Sequence, residues 1–230
     1  MSRPRKDSAQ ADARGRIIEA FWSQLETKHV DQLNVRQITS VAGCNRGTFY
    51  YHFRDMDDLF QQALNNELFH DSMFPHTMYE IVCGEGNVES FEQLSSTYSK
   101  RMTLLLEKGG VERTVALLKS SIIGAWTQIL HPEGGSLTPA SKVLLGFNVS
   151  GIVSILIDAC QHERQSGESL NEIIDLTPFV KGQAIAVIQQ VSQLEGISPE
   201  QMKQAVAQFD FTDYVLSTTR HDDLEKAVVA

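Results

Sequence analysis

The stretch from Asn34 to Phe53, reading NVRQITSVAGCNRGTFYYHF, constrains this chain more than any other. It reads as two short helices joined by a glycine turn. Asn34 suits the N-cap, because its side-chain oxygen can accept a backbone N–H of the first turn. Gln37, three residues on, completes a capping box. Val35, Ile38 and Ala42 recur at helical spacing and give a short apolar stripe. Gly43 stands where a helix needs a residue that tolerates positive φ in order to stop. Asn45 then caps a second helix, in which Phe49 and Phe53 at i, i+4 face the core together. The other faces of that helix carry Arg46, Thr48, Tyr50, Tyr51 and His52, side chains able to donate to phosphates and base edges. A helix-turn-helix of this kind sets its second helix in the DNA major groove.

A preceding helix is expected from about Ala9 to Glu26, with Ile17, Ile18, Phe21, Trp22 and Leu25 on its buried face. The three helices together make one small core. Asp55 offers an N-cap for a fourth helix, and Asp57 and Asp58 suit its positive N-terminal dipole. Leu59, Phe60, Ala63, Leu64 and Leu68 continue that helix as its apolar side.

The segments RIIEAF (16–21), VRQI (35–38), VAGCNRGTFYYHF (41–53) and DDL (57–59), with their spacing, resemble the TetR/AcrR family of ligand-responsive repressors. The resemblance covers roughly the first quarter of the chain. It implies that Arg46, Thr48, Tyr50, Tyr51 and His52 meet DNA, with Thr48, Tyr50 and His52 on phosphates and Arg46 and Tyr51 on bases. Gly47 would let the helix approach the duplex closely, and Arg36, Asn45 and Arg54 complete the expected DNA-binding set. Three positions depart from the family pattern. Thr39 replaces a small alanine, Asn45 replaces a serine, and Met56 replaces a lysine that would hold phosphate, a role Arg54 is placed to take over.

The net charge of −9 argues against nucleic acid only until it is divided along the chain. Residues 1–54 carry nine Lys/Arg and five Asp/Glu, so this segment is positive by four and the remainder carries −13. A basic head on an acidic body leaves only the head to dock on DNA. Arg3, Arg5 and Lys6 form either an arm along the duplex or a solvated tail. The three cysteines, Cys44, Cys83 and Cys160, include no CxxC pair and argue against a disulfide framework. Cys44 reads as a buried small hydrophobe. No apolar run reaches the ~18 residues of a membrane span. MSRPRKDSAQ lacks the apolar core of a signal peptide. A cytoplasmic location is therefore expected.

No strand is expected after residue 54, and the fold class is all-α: a three-helix head (1–54), a helical body (55–197) and a helical extension (198–230). Helical periods run from Val88 to Leu106, stopped by Gly109-Gly110, and from Val111 to Leu130. A longer helix, about 139–165, is apolar on nearly every face between Val143 and Cys160 and so needs burial on all sides. Gly146, Ser150, Gly151 and Ser154 permit close approach there, and a second subunit is the expected cover. Ser169 and Glu172 suit a capping box, and Thr177-Pro178 restarts a helix. The resemblance implies a homodimer through helices 139–165 and 178–195. Ser198-Pro199-Glu200-Gln201 starts the extension, whose Phe209, Phe211, Tyr214, Val215 and Leu216 would cover either the dimer interface or the body.

No P-loop, GxGxxG, GxSxG or HExxH occurs, so an enzymatic reading has no motif to rest on. His70, Asp71, His76, His131 and His162 match no strong metal-ligand spacing, and no metal or cofactor is expected. The resemblance implies an unknown small-molecule effector held in the body, with Phe74, Met78, Met102, Trp126, Leu130 and Phe147 as candidate lining. Asn148 and Gln128 are either polar orienting groups or surface residues. The functional expectation is a sequence-specific, double-stranded-DNA-binding regulator, a repressor released from a pseudo-palindromic operator by that effector. The alternative is a DNA-bound structural or protein-interaction factor without an effector.

Overall fold

A computed structural model describes residues 6–70, 100–166 and 177–217, and every element among them is helical. Helix α1 spans Lys6–Leu25, α2 Val35–Val41, α3 Arg46–His52 and α4 Met56–Asn65, which continues into a π-helical turn, Asn66–His70. After these come α5 (100–108), α6 (Val111–Leu130), α7 (Pro139–Ser166), α8 (Thr177–Glu195), α9 (Pro199–Gln208) and α10 (Phe211–Ser217). The first helix starts three residues before the expected Ala9, which draws Lys6 into it. Arg3, Arg5, Asp71, Phe74, His76, Met78, Cys83, most of the helix expected from Val88 and the Ser169–Glu172 box lie outside the described residues.

The caps read from sequence are present. Asn34 accepts from Gln37 N–H and Gln37 reaches back to Asn34 N–H, and Ser198 and Gln201 make the same reciprocal pair. Asp55 accepts from Asp58 N–H. Each cap satisfies backbone donors that have no partner within the helix.

Helix α4 joins the two halves of the molecule, packing against α1 on one side and α6 on the other. Its Phe60 is fully buried and lies edge-on to Phe21 of α1, ring centroids 5.7 Å apart. Arg113 of α6 sits 5.0 Å over the same ring, and its guanidinium pairs with Asp57. Gly109 is the spacer here, since a Cβ on it would stand 2.7 Å from the Phe60 ring. The head–body line expected at residues 54/55 thus falls within one continuous buried cluster. Further along α4, Gln61, Asn65 and Ser121 form a polar cluster across the α4–α6 contact, with Gln61 Nε2 2.7 Å from the Ser121 hydroxyl.

The extension covers the body. Phe211 stacks on Phe69 of the π turn, Tyr214 meets the same ring edge-on, and the Tyr214 hydroxyl donates to the Ser121 carbonyl at 3.2 Å. A Cβ on Gly124 would stand 2.7 Å from that hydroxyl, so the glycine makes room for it.

At the far end of the body, Glu195 closes α8 onto the turn before α7. It accepts from the Thr138 N–H at 2.9 Å and hydroxyl at 3.0 Å, and lies 3.2 Å from His131 Nε2. Burial alone would raise its pKa, but the bonds from Ser141, Thr138 and His131 hold it below the ordinary 4.5. A depressed carboxylate stabilises the fold above its unfolded pKa, and that contribution is lost as pH falls through the folded value. Acid titration of thermal stability should therefore show a steeper loss below about pH 4.5 for the wild type than for Glu195→Gln. Equal acid slopes would remove Glu195 as the closing group.

Phe60→Ala, which empties the centre of the α1–α4–α6 contact, should cost about 3–5 kcal/mol in denaturant unfolding. A loss near 1 kcal/mol or less would mean that the contact is peripheral.

Candidate nucleic-acid interface

The turn between α2 and α3 ends α2 by a Schellman arrangement. Gly43 takes φ 63, and the Cys44 N–H donates to the Thr39 carbonyl at 3.0 Å. The Thr39 hydroxyl, buried where an alanine was the family expectation, donates to the Val35 carbonyl at 2.8 Å and so carries no unmet polar group. Arg16 Nε of α1 donates to the Ala42 carbonyl at 3.2 Å and ties the turn to the head. Cys44 is half-buried rather than buried, because it follows the turn at the rim of the core. Desolvation raises its thiol pKa against the pull of Arg16, which favours the protonated thiol.

Asn45 spends its side-chain oxygen on the α3 N-terminus, accepting from the Thr48 N–H at 2.8 Å and the Thr48 hydroxyl at 3.2 Å. A Cβ on Gly47 would stand 3.1 Å from that oxygen, so the glycine relieves the cap as well as clearing the outer surface. Phe49 and Phe53 are fully buried and lean on each other at 5.5 Å. Their anchoring turns Arg46, Gly47, Tyr50 and Tyr51 outward on one face, with Tyr51 63% exposed. Arg36 and Arg54 are also exposed, and Thr48 is half-buried beside the cap. The structure therefore brings Arg36, Asn45, Arg46, Gly47, Tyr50, Tyr51 and Arg54 to the surface of the head.

His52 is placed differently. It is half-buried, its Nε2 is buried with no hydrogen-bond partner, and its ring lies edge-on to Tyr51 at 4.9 Å. Desolvation, and then the nearby Arg14 charge, lower its pKa below the ordinary 6.5. The lowered pKa favours the neutral ring, which brings no positive charge to a phosphate.

The seat of α3 on α4 is a chain that sequence reading missed. Arg14 of α1 donates to Gln62 Oε1 at 3.3 Å, Gln62 Nε2 donates to Asp58 at 3.1 Å, and Asp58 accepts the Arg54 N–H at 2.8 Å. In sequence, its place in the first turn of α4 suits Asp58 to the helix dipole alone. Its burial six residues past His52 is a tertiary fact, visible in sequence only as an acid beside the apolar Leu59-Phe60. Arg54 Nε also approaches Asp58 Oδ2 at 3.8 Å, so the cation expected to replace the missing Met56 lysine is shared with this carboxylate.

Of the expected effector contacts, Met102 and Trp126 are buried in the continuous core, and Leu130 is half-buried on a groove at the end of α6. Phe147 is not in the interior. It is 75% exposed on the outer side of α7, in register with Val143 at i, i+4. Asn148 bonds back to the Leu144 carbonyl at 2.9 Å, while Gln128 is exposed on the groove.

A basic and aromatic helix presented by a glycine-turn pair on a small helical core is a DNA-binding helix-turn-helix. Residues 17–63 match the family described as bacterial regulatory proteins, tetR family. The chain carries that family's N-terminal domain and, through it, is a DNA-binding transcriptional regulator. No match was found among curated proteins. No described helix is long and apolar enough to cross a membrane.

A histidine with a depressed folded pKa supports the fold above its unfolded value and weakens it as pH falls through the folded one. Head stability should therefore drop on acidification below about pH 6.5, and His52→Gln should flatten that drop in thermal melts followed against pH. An unchanged pH profile in the variant would show that the buried ring does not titrate with folding.

Proposed function

We propose that this regulator is a homodimeric repressor that reads a pseudo-palindromic operator and leaves it when a small molecule occupies the body. The outward face of α3 is the observation that carries the DNA half. Arg46 and Tyr51 are assigned to base edges, Tyr50 and Thr48 to phosphates, with Arg36, Arg54, Gly47 and the Asn45 cap framing them. The acidic balance of the rest of the chain supports docking through the head alone.

The outer side of α7 supports the dimer. Val143 is 73% exposed, and with Phe147, Gly151 and Ser154 it forms a stripe at spacings of three and four on one side of the helix. The opposite side, Leu145 and Val149, is buried, and α7 packs against α6 and α8. An apolar stripe that its own chain leaves open suits an isologous contact with a second α7–α8 pair. Two heads would then read two half-sites about one helical turn, ~34–36 Å, apart or a multiple of it.

Release of DNA requires that the effector bind the non-DNA arrangement better than the DNA-bound one. Two arginines supply a physical route between body and head. Arg101 pairs with Glu19 of α1 at 2.9 Å and with Glu67 of the π turn at 2.8 Å, and lies 5.0 Å from the Trp22 ring. Arg113 pairs with Asp57 and approaches Asp31 at 3.9 Å. A shift of α5 or α6 relative to α4 must rearrange these pairs.

Selection of bound duplexes from a random pool should enrich a palindrome, with an affinity that falls steeply with salt. Tyr51→Ala and Arg46→Ala should each weaken binding to that duplex by about 1–3 kcal/mol, roughly 5- to 150-fold. The dimer's elution volume should stay unchanged, because both side chains are exposed. Wild-type affinity in both variants would defeat the assignment of α3 as reader, and absence of any enriched sequence would favour a structural or protein-interaction role.

A further inference from the structure

A groove of about 480 Å³ runs between the end of α6 and α9. Ile129, Leu130 and Pro132 line one wall, and Ile197, Ala205 and Phe209 line the other. Four glutamines stand among these apolar groups: Gln128 from α6, and Gln201, Gln204 and Gln208 from α9. The volume falls within the range of small-molecule sites, roughly 300–1,000 Å³. Each glutamine amide both donates and accepts hydrogen bonds. None of the lining residues is charged, so an ion placed there would lose hydration without gaining a counter-charge.

We propose that this groove binds an uncharged small molecule with an apolar body and hydrogen-bonding groups, and that its occupancy is felt by α4. The link is Phe209, which lines the groove and also belongs to the aromatic cluster of the extension. Its ring lies 4.8 Å from Phe211 and 5.6 Å from Tyr214. Those two rings hold Phe69 at 5.9 Å and 5.4 Å, and Phe69 lies in the π turn that prolongs α4. Single π turns inside helices often mark sites of functional rearrangement. A ligand that displaces Phe209 therefore acts on the aromatic set that grips the end of α4, and α4 carries the head. The regulatory half of this proposal rests on the repressor reading above, whereas the binding half does not.

The test uses the full-length protein and the fluorescent probe N-phenyl-1-naphthylamine, which is uncharged, with 8-anilino-1-naphthalenesulfonate as its anionic counterpart. The neutral probe should bind saturably with one site per chain, and the sulfonate should bind about tenfold more weakly or worse. Gln204→Trp and Gln128→Trp fill the groove from opposite walls at exposed positions, and each should abolish neutral-probe binding while helicity by circular dichroism is kept. Absence of binding to the wild type, or undiminished binding in both variants, overturns the site. Because this readout contains no DNA, its failure is separable from failure of the operator reading. On the selected duplex, saturating neutral probe should change wild-type affinity and leave Phe211→Leu unaffected, although that variant still binds the probe. A wild-type duplex affinity that ignores the bound probe overturns the coupling through Phe209.

Discussion

Phe60 meets three elements at one ring. Phe21 of α1 lies edge-on to it, Arg113 of α6 covers it, and Gly109 leaves the space that its edge occupies. Because the ring is fully buried, the head cannot rotate on the body without opening apolar surface to water at ~25 cal/mol per Å². Helix α4 is thus a shared wall rather than a linker, and the placement of α3 inherits from it. The Arg14–Gln62–Asp58 chain seats the C-terminal end of α3 on the same helix. Whatever moves α4 moves the reading surface.

Polar groups along this wall are graded by burial. Exposed pairs such as Lys100–Glu26 at 3.6 Å contribute little in high dielectric. The Gln61–Asn65–Ser121 cluster and the Tyr214 hydroxyl are different, because they lie between packed helices where an unmet donor is costly. They set the register of α6 and the extension on α4. Burial pushes the Tyr214 hydroxyl's pKa far up, so it remains a hydrogen-bond donor at any working pH. Arg101 and Arg113 combine both kinds of contact, each with an aromatic face on one side and carboxylates on the other. That arrangement holds while the helices keep their spacing and is lost when they slide.

The chain presents two surfaces with opposite physics. The face of α3 is basic and aromatic, matched to a polyanion with readable edges. The outer side of α7 is apolar and small, matched to another apolar helix. Their separation along an otherwise acidic chain sets the basic, aromatic face on the head and the apolar stripe on the body.

Local rules sufficed wherever the determinant lay within a few residues. The Asn34–Gln37 and Ser198–Gln201 boxes, the Asn45 and Asp55 caps, the φ 63 stop at Gly43 and the span Val111–Leu130 are all readable from spacing, because capping and turn chemistry act over three or four positions. The outward set Arg46, Gly47, Tyr50 and Tyr51 was legible for the same reason, once Phe49 and Phe53 named the buried side. Contacts distant in sequence were not legible. Nothing near His52 announces that its Nε2 is buried, since that depends on α1 and α4 closing over it. Phe147 looks like a pocket residue by type, and only the side of α7 taken by α6 and α8 turns it outward. The grip of Phe211 and Tyr214 on Phe69 joins residues more than 140 positions apart. Sequence alone determined the helical class, the caps and which side of α3 is buried, because those are short-range hydrogen-bond and periodicity effects; the tertiary structure decided which faces meet, because burial is settled by every helix that competes for the same core.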